Sequence, residues 1–95
     1  MTLMLELQEE GNYEVQLSYL TGPSCGRFQV YHRAHPLSEI IDSYSKEIDV
    51  VHKRPIGKVH FSEGSATLTF TGKGRSDQSQ GNEVKIYRIY LKRVP

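Results

Sequence analysis

The chain has 95 residues, 12 Lys and Arg against 11 Asp and Glu, and a hydrophobic fraction of 37%. This length predicts one domain over residues 1–95, and the formal net charge of +1 argues against the strong basic field that non-specific nucleic-acid binding needs. Apolar runs are short, so we expect no transmembrane helix, no signal-peptide core and no membrane partner. Cys25 is the single cysteine, which excludes an intramolecular disulfide and every cysteine-rich zinc motif.

Alternation of apolar and polar residues predicts strands in the first third of the chain. Thr2–Leu7 and residues 13–19 alternate on either side of a turn at residues 9–12, and we predict that they form a hairpin. Turn-forming residues at 21–26 end the second strand. A third alternating strand follows at Arg27–His32.

The middle of the chain is irregular, with a predicted strand near residues 48–52. Residues 55–61 and 65–71 then alternate on either side of a Glu-Gly turn, which predicts a second hairpin. Residues 72–82 contain no apolar side chain, so we expect an exposed, mobile loop there.

The last predicted strand covers residues 83–91, and its apolar face changes between Ile86 and Ile89. Such a change indicates either burial on both faces or a β-bulge. Short strands separated by turns, with no helical period, predict an antiparallel two-sheet β-sandwich with less than about one-tenth helix. The predicted inward-facing residues are Tyr13, Val15, Leu17, Phe28, Val30, Val59, Phe61, Leu68 and Phe70.

Six short motifs follow one another along these strands: EGNYEV at 10–15, GRFQV at 26–30, IDSY at 41–44, PIGKV at 55–59, EGSATL at 63–68 and GKGRS at 72–76. In this order the chain resembles the jelly-roll modules of the galactose-binding-like superfamily, which are appended to bacterial glycoside hydrolases and related secreted proteins. The resemblance covers residues 3–91. It implies a non-catalytic accessory module that contacts neighbouring domains of a bacterial parent protein and is extracellular or periplasmic through that parent.

Two features depart from the resemblance. Modules of this type usually have another strand before the position of Leu3, which implies that the chain is a fragment of a longer protein with an open sheet edge. Because an open edge presents unpaired backbone groups, we expect an edge-strand homodimer. The last strand carries Tyr87 where such modules commonly have an Asp.

A glycan-binding face on a sandwich needs aromatic rings to stack on sugars and polar groups to bond hydroxyls. Tyr31, Tyr44 and Tyr87 are the candidate rings, and Asp42 is the candidate hydroxyl contact. Ordinary strand packing is the alternative for each tyrosine, and turn capping is the alternative for Asp42.

Other chemistries have weaker support in the sequence. The histidines at 32, 35, 52 and 60 match no metal-ligand spacing, and Asp42, Glu47 and Asp49 do not define a calcium loop, so we expect no metal or cofactor. The stretch 72–76 has the glycines and cations of an anion-binding nest, but no helix follows it, which favours a solvated loop. No sequence motif indicates a carboxylate pair or a hydrolytic triad, so we expect no enzyme.

Two functions remain open: an accessory module that binds glycan weakly, or a purely structural or self-associating sandwich without a ligand site.

Overall fold

Two antiparallel sheets face each other across one core in the computed structural model, which describes all residues, Met1–Pro95. The chain forms a β-sandwich without a helix, as the sequence predicts. No helix is present that could cross a membrane. The strands are β1 (Thr2–Leu7), β2 (Gly11–Thr21), β3 (Arg27–His32), β4 (His35–Pro36), β5 (Ile41–Asp42), β6 (Asp49–Phe61), β7 (Gly64–Gly72) and β8 (Ile86–Val94).

The larger sheet has the order β1-β7-β3-β4, and β5 also pairs with β3. The short strands β4 and β5 occupy opposite ends of the same β3 edge, because Tyr31 pairs with Pro36 and Arg27 pairs with Asp42. The smaller sheet has the order β6-β2-β8, so β2 is its central strand. This central position gives β2 a neighbour on each side along most of its length.

Both hairpins predicted from the sequence are wrong. β1 pairs with β7 while β2 pairs with β6 and β8, and β6 and β7 likewise lie in different sheets. The links at residues 8–10 and 62–63 therefore cross from one sheet to the other. Alternation defines which face of a strand is buried, and that face is the same whether the next strand pairs beside it or packs across the core. The Tyr13 hydroxyl donates to the Glu9 carbonyl oxygen at 2.8 Å, across the first crossing.

The core matches the predicted inward-facing set closely. Of its nine members eight are buried, and Val59 is partly buried against them. Tyr19, which the prediction omitted, lies at the centre of the core and packs edge-on against Phe28 with ring centroids 5.5 Å apart. Burial of each large side chain contributes on the order of 1.5–3 kcal/mol, so this cluster is the main stabilising feature of the sandwich.

The loop at residues 72–82 differs from the prediction because part of it is buried. Ser76 and Ser79 are both less than a tenth exposed. The Ser79 hydroxyl lies 2.7 Å from the Cys25 carbonyl oxygen, and the Gln80 amide donates to the Pro23 carbonyl oxygen at 2.8 Å. Hydrogen bonds to the turn at residues 21–26 thus hold a segment that has no apolar side chain of its own.

Candidate functional site

Two bulges flank the central strand of the smaller sheet at the level of Ser18. On one side β6 places two residues, His52 and Lys53, opposite Ser18, and on the other side β8 inserts the extra residue Tyr87. Bulges bend the strand and change the direction of its side chains, and they are frequent beside functional sites. The bulge in β8 accounts for the change of apolar face between Ile86 and residue 89, so the bulge alternative is the one the structure contains.

Lys53 adopts a backbone conformation that is rare for a residue with a side chain. Its φ angle is +48°, in the left-handed region, and a non-glycine residue held there costs about 1–3 kcal/mol. The Lys53 amide donates to the Ser18 hydroxyl at 3.0 Å, and Ser18 is 2% exposed. The buried hydroxyl thus provides the partner that holds the bulged backbone in place.

A groove of about 420 Å³ lies over these bulges on the outer face of the smaller sheet, lined by Ser18, His52, Tyr87, Arg88 and Tyr90. Tyr87 is 68% exposed, which is unusual for a large aromatic side chain. Tyr90 is half-buried, and the Lys53 ammonium lies 5.0 Å from its ring centroid. This cation–π contact orients both side chains at one wall of the groove.

The groove combines aromatic surface with hydrogen-bond donors. Two tyrosine rings can present apolar faces and hydroxyls, and Arg88 carries a planar fork of donors. His52 adds an imidazole that donates or accepts according to its tautomer. The Ser18 hydroxyl is already engaged by the Lys53 amide, so it contributes to the architecture of the groove. The arrangement is suited to binding a polar ligand that has flat apolar faces.

Of the four site residues predicted from the sequence, Tyr87 lines this groove and the other three lie on the larger sheet or beside it. Tyr31, on β3, donates its hydroxyl hydrogen to Gln29 Oε1 at 3.0 Å. The Lys73 ammonium lies 5.3 Å from the Tyr31 ring centroid. Tyr31 is therefore half-buried under contacts with its own protein.

Asp42 caps the turn that follows β5. Its Oδ1 accepts the Tyr44 amide at 3.0 Å, and its Oδ2 lies 3.5 Å from Nε of Arg27. Tyr44 is half-buried and forms an isolated bridge to Gly22. The turn-capping alternative for Asp42 is thus the arrangement observed. Tyr31 lies near one end of β3 and Asp42, on β5, pairs with Arg27 at the other end, so the structure does not bring the four predicted residues together.

Five groove residues were not predicted as site residues: Ser18, His52, Arg88, Tyr90 and Lys53 at its rim. His52 entered only as one of four histidines without metal-ligand spacing. The one signal in the sequence is the change of apolar face in the last strand, since a bulge there predicts redirected side chains. The bulge in β6 has no such signal, because Lys53 is followed by Arg54 and Pro55 in a stretch with no alternation.

A second cavity of about 560 Å³ opens between β6 and the interrupted β4–β5 edge, and Leu37, Arg54 and Ile56 are among its lining residues. Arg54 donates from Nη1 to the Tyr19 hydroxyl at 2.7 Å, so its charge also satisfies a buried core hydroxyl. None of the predicted site residues lines this cavity. No aromatic residue lines this cavity, whereas Tyr87 and Tyr90 line the groove over the bulges.

Titratable groups with shifted pKa values lie outside the groove. Burial lowers the pKa of His32, with further lowering by the nearby charges of Arg33 and His35. Burial is also the main cause that raises the pKa of the Cys25 thiol, and the Glu83 carboxylate raises it further. No three His, Cys, Asp or Glu side chains are grouped so that they could hold a metal ion.

Comparisons with known proteins support the fold. A search of curated proteins finds no match to this sequence. A solved structure with a similar fold is a xanthan lyase from Paenibacillus, with 16% sequence identity and a TM-score of 0.81. The similarity covers 98% of this chain and 9% of the lyase chain, and at this identity it shows the shared fold. A family model described as "Domain of unknown function (DUF8441)" matches residues 1–94, and the chain therefore belongs to this family.

Proposed function

We propose that the chain is a non-catalytic accessory module of a bacterial carbohydrate-active protein, and that its groove over the bulges of β6 and β8 binds glycan. The observation that carries this proposal is the pair of tyrosines beside Arg88, held by bulges in both neighbouring strands. Aromatic rings stack on the apolar faces of sugars while the guanidinium and hydroxyls bond sugar oxygens. Tyr87 is the exposed ring, and Tyr90 is the ring oriented by Lys53.

The comparison with the xanthan lyase supports the accessory role. The shared fold accounts for 9% of the lyase chain, so a module of this size can be one part of a much longer enzyme. We propose in addition that the sandwich is a jelly roll of the galactose-binding-like type. Its location is then extracellular or periplasmic, reached as part of its parent protein, and its macromolecular contacts include the neighbouring domains.

The affinity for glycan follows from the small number of contacts. Each stacked ring and each hydrogen bond contributes about 1 kcal/mol, against the ordering costs of association. We therefore expect dissociation constants from roughly tens of micromolar to millimolar. An accessory module gains from such weak binding when its parent protein holds it near a polymeric substrate.

Affinity electrophoresis tests the proposal directly. The protein is run through native gels that contain soluble polysaccharides, xanthan among them, and its mobility is compared with that in a gel without polysaccharide. We expect retardation in at least one gel, and loss of this retardation in Tyr87→Ala. Because Tyr87 is largely exposed, its removal leaves the core intact. Circular dichroism checks that the variant is folded.

Tyr31→Ala and Tyr44→Ala are the matched controls, since each removes one tyrosine that does not line the groove. Both are expected to be retarded as strongly as the wild-type protein. Unchanged mobility of the wild type in every gel would overturn the glycan function. Loss of retardation in Tyr31→Ala or Tyr44→Ala, with Tyr87→Ala unaffected, would move the site to the residues predicted on the larger sheet.

The purely structural function has its own supporting observation. β1 pairs only with β7, so its outer edge has no partner strand, and the exposed side chain of Met4 lies on this strand. Such an edge can pair with a strand of a neighbouring domain or of a second copy. In that case the module braces a larger assembly and the groove has no ligand.

A further inference from the structure

We propose that the ligand of the groove is an acidic polysaccharide that carries carboxylates. This inference rests on the glycan function proposed above and names the chemical class of the glycan. Its basis is the charge of the outer face of the smaller sheet, which the groove shares. That face differs sharply from the chain as a whole, whose formal net charge is only +1.

The register of the sheet brings four cations to this face. Lys58 and Lys92 both lie opposite Glu14 on β2, one on each neighbouring strand, and Arg88 lies opposite Ser18. Paired residues of neighbouring strands point to the same side of a sheet, so these side chains share the outer face with the groove. Lys53 joins them, since its ammonium lies over the outward-facing ring of Tyr90.

None of these four cations forms a salt bridge within the chain. The three salt bridges present are Arg27–Asp42, Lys85–Glu83 and Arg93–Glu9, and all lie elsewhere. The single carboxylate on the face, Glu14, accepts a hydrogen bond from Gln16 at 2.7 Å. The face therefore presents four cations against one carboxylate. The excess of like charges on one face produces repulsion, and an anion that binds there relieves it.

The cations border the groove in an order that fits an extended chain. Arg88 is a lining residue, Lys53 stands at the Tyr90 wall, and Lys58 and Lys92 lie further along the strands toward Glu14. Arg88 pairs with Ser18, and the two lysines pair with Glu14. These positions are four residues apart along β2, which is about 13 Å at about 3.3 Å per residue. A polymer that lies along β2 can therefore meet rings at one end and lysines at the other.

The density of charge favours an acidic polysaccharide over a nucleic acid. Nucleic-acid binding is driven by many phosphates on a strongly basic protein, whereas this chain has four free cations beside Glu14 and a net charge near zero. Uronic-acid polysaccharides carry at most one carboxylate per sugar and leave apolar ring faces free to stack. Arg88 can bind such a carboxylate through two parallel hydrogen bonds.

Isothermal titration calorimetry of the intact chain tests this inference with two probes of the same length. One is an oligogalacturonate, and the other is the same oligosaccharide after reduction of its carboxyl groups to alcohols. We expect the acidic probe to bind at least about tenfold more tightly at about 20 mM salt, and the preference to shrink at about 200 mM salt because ions screen the charges. Arg88→Gln is expected to reduce the affinity for the acidic probe more than the affinity for the neutral probe.

Arg75→Gln is the matched control, because it removes an exposed arginine from the loop at residues 72–82 and is expected to leave both affinities unchanged. Equal affinity for the two probes would overturn the acidic-ligand inference while retaining the glycan function. Absence of binding by both probes would overturn the acidic-ligand inference, and absence of retardation in every gel would overturn the glycan function as well. Tighter binding of a single-stranded oligonucleotide of equal charge would assign the face to nucleic acid and overturn the inference.

Discussion

Two buried serines of the loop at residues 72–82 have opposite effects on stability, because only one of their hydroxyls has hydrogen-bond partners. The Ser79 hydroxyl lies within hydrogen-bond distance of three backbone carbonyl oxygens, those of Pro23, Cys25 and Gly81. The Ser76 hydroxyl is buried and has no hydrogen-bond partner. A buried hydroxyl without a partner carries a desolvation penalty, whereas a satisfied one stabilises its surroundings.

We predict that Ser79→Ala lowers the free energy of unfolding by about 1–3 kcal/mol, because the Cys25 carbonyl oxygen, the nearest acceptor at 2.7 Å, loses its hydroxyl donor. Ser76→Ala is expected to be neutral or stabilising, since it removes only the unsatisfied hydroxyl. Urea denaturation followed by circular dichroism measures both variants against the wild type. Equal losses in the two variants would contradict these hydrogen-bond assignments.

His32 is expected to make stability depend on pH. Its ring packs edge-on against Phe61 with centroids 5.0 Å apart, and burial lowers its pKa in the folded state below the ordinary value of 6.5. The unfolded chain therefore binds the proton first, so stability falls as pH decreases from about 6.5 toward the folded pKa. We predict a smaller loss of thermal stability between about pH 7.5 and pH 5.5 in His32→Gln than in the wild type. An identical pH dependence in the two proteins would show that His32 does not contribute.

At the scale of strands, the sequence predicts positions well and partners poorly. Alternation correctly marks most of the residues that face the core, and turn residues mark most strand ends. The pairing was wrong for both predicted hairpins, because a short link can either reverse a strand within one sheet or carry it across the core. β3 and β4 do form a hairpin, through Arg33 at a φ of +58°, and no glycine marks that turn.

Gly57, on β6, is required by the close approach of another segment. A Cβ at this position would lie 2.4 Å from the Leu37 carbonyl oxygen, far inside van der Waals contact. We predict that Gly57→Ala costs about 1–3 kcal/mol, because β6 or the segment at Leu37 must move. Gly72→Ala is the matched control, since nothing lies within 4 Å of its added carbon. Thermal denaturation of the two variants measures the difference, and equal stability would contradict the close approach.

The distribution of charge over the whole molecule could not be read from the composition. A net charge of +1 indicates no strong field, and in the sequence Lys53, Lys58, Arg88 and Lys92 are separated by up to 39 positions. Only the register of β6 and β8 on β2 places them on one face. The groove could not be predicted for the same reason. Tyr87 was a candidate by residue type, but the residues that line the groove with it lie on three strands, β2, β6 and β8.

The open edge of β1 gives a prediction about assembly. Backbone groups on this edge have no partner strand, so we expect concentration-dependent dimers through β1. Met4→Lys places a charge on the exposed strand and is expected to abolish them, because edge lysines disfavour strand pairing. Sedimentation equilibrium measures the mass. A monomer at every concentration, with fast amide exchange at residues 2–7, would show that the edge is frayed instead.

Amide shifts of the ¹⁵N-labelled protein during titration with an acidic oligosaccharide show whether the groove over the bulges of β6 and β8 binds glycan. We expect saturable shifts centred on Ser18, His52 and residues 87–90, with smaller shifts toward Lys58 and Lys92. Shifts centred instead on Tyr31 and Tyr44, or on the cavity beside Leu37, or no shifts at millimolar ligand, would contradict this expectation.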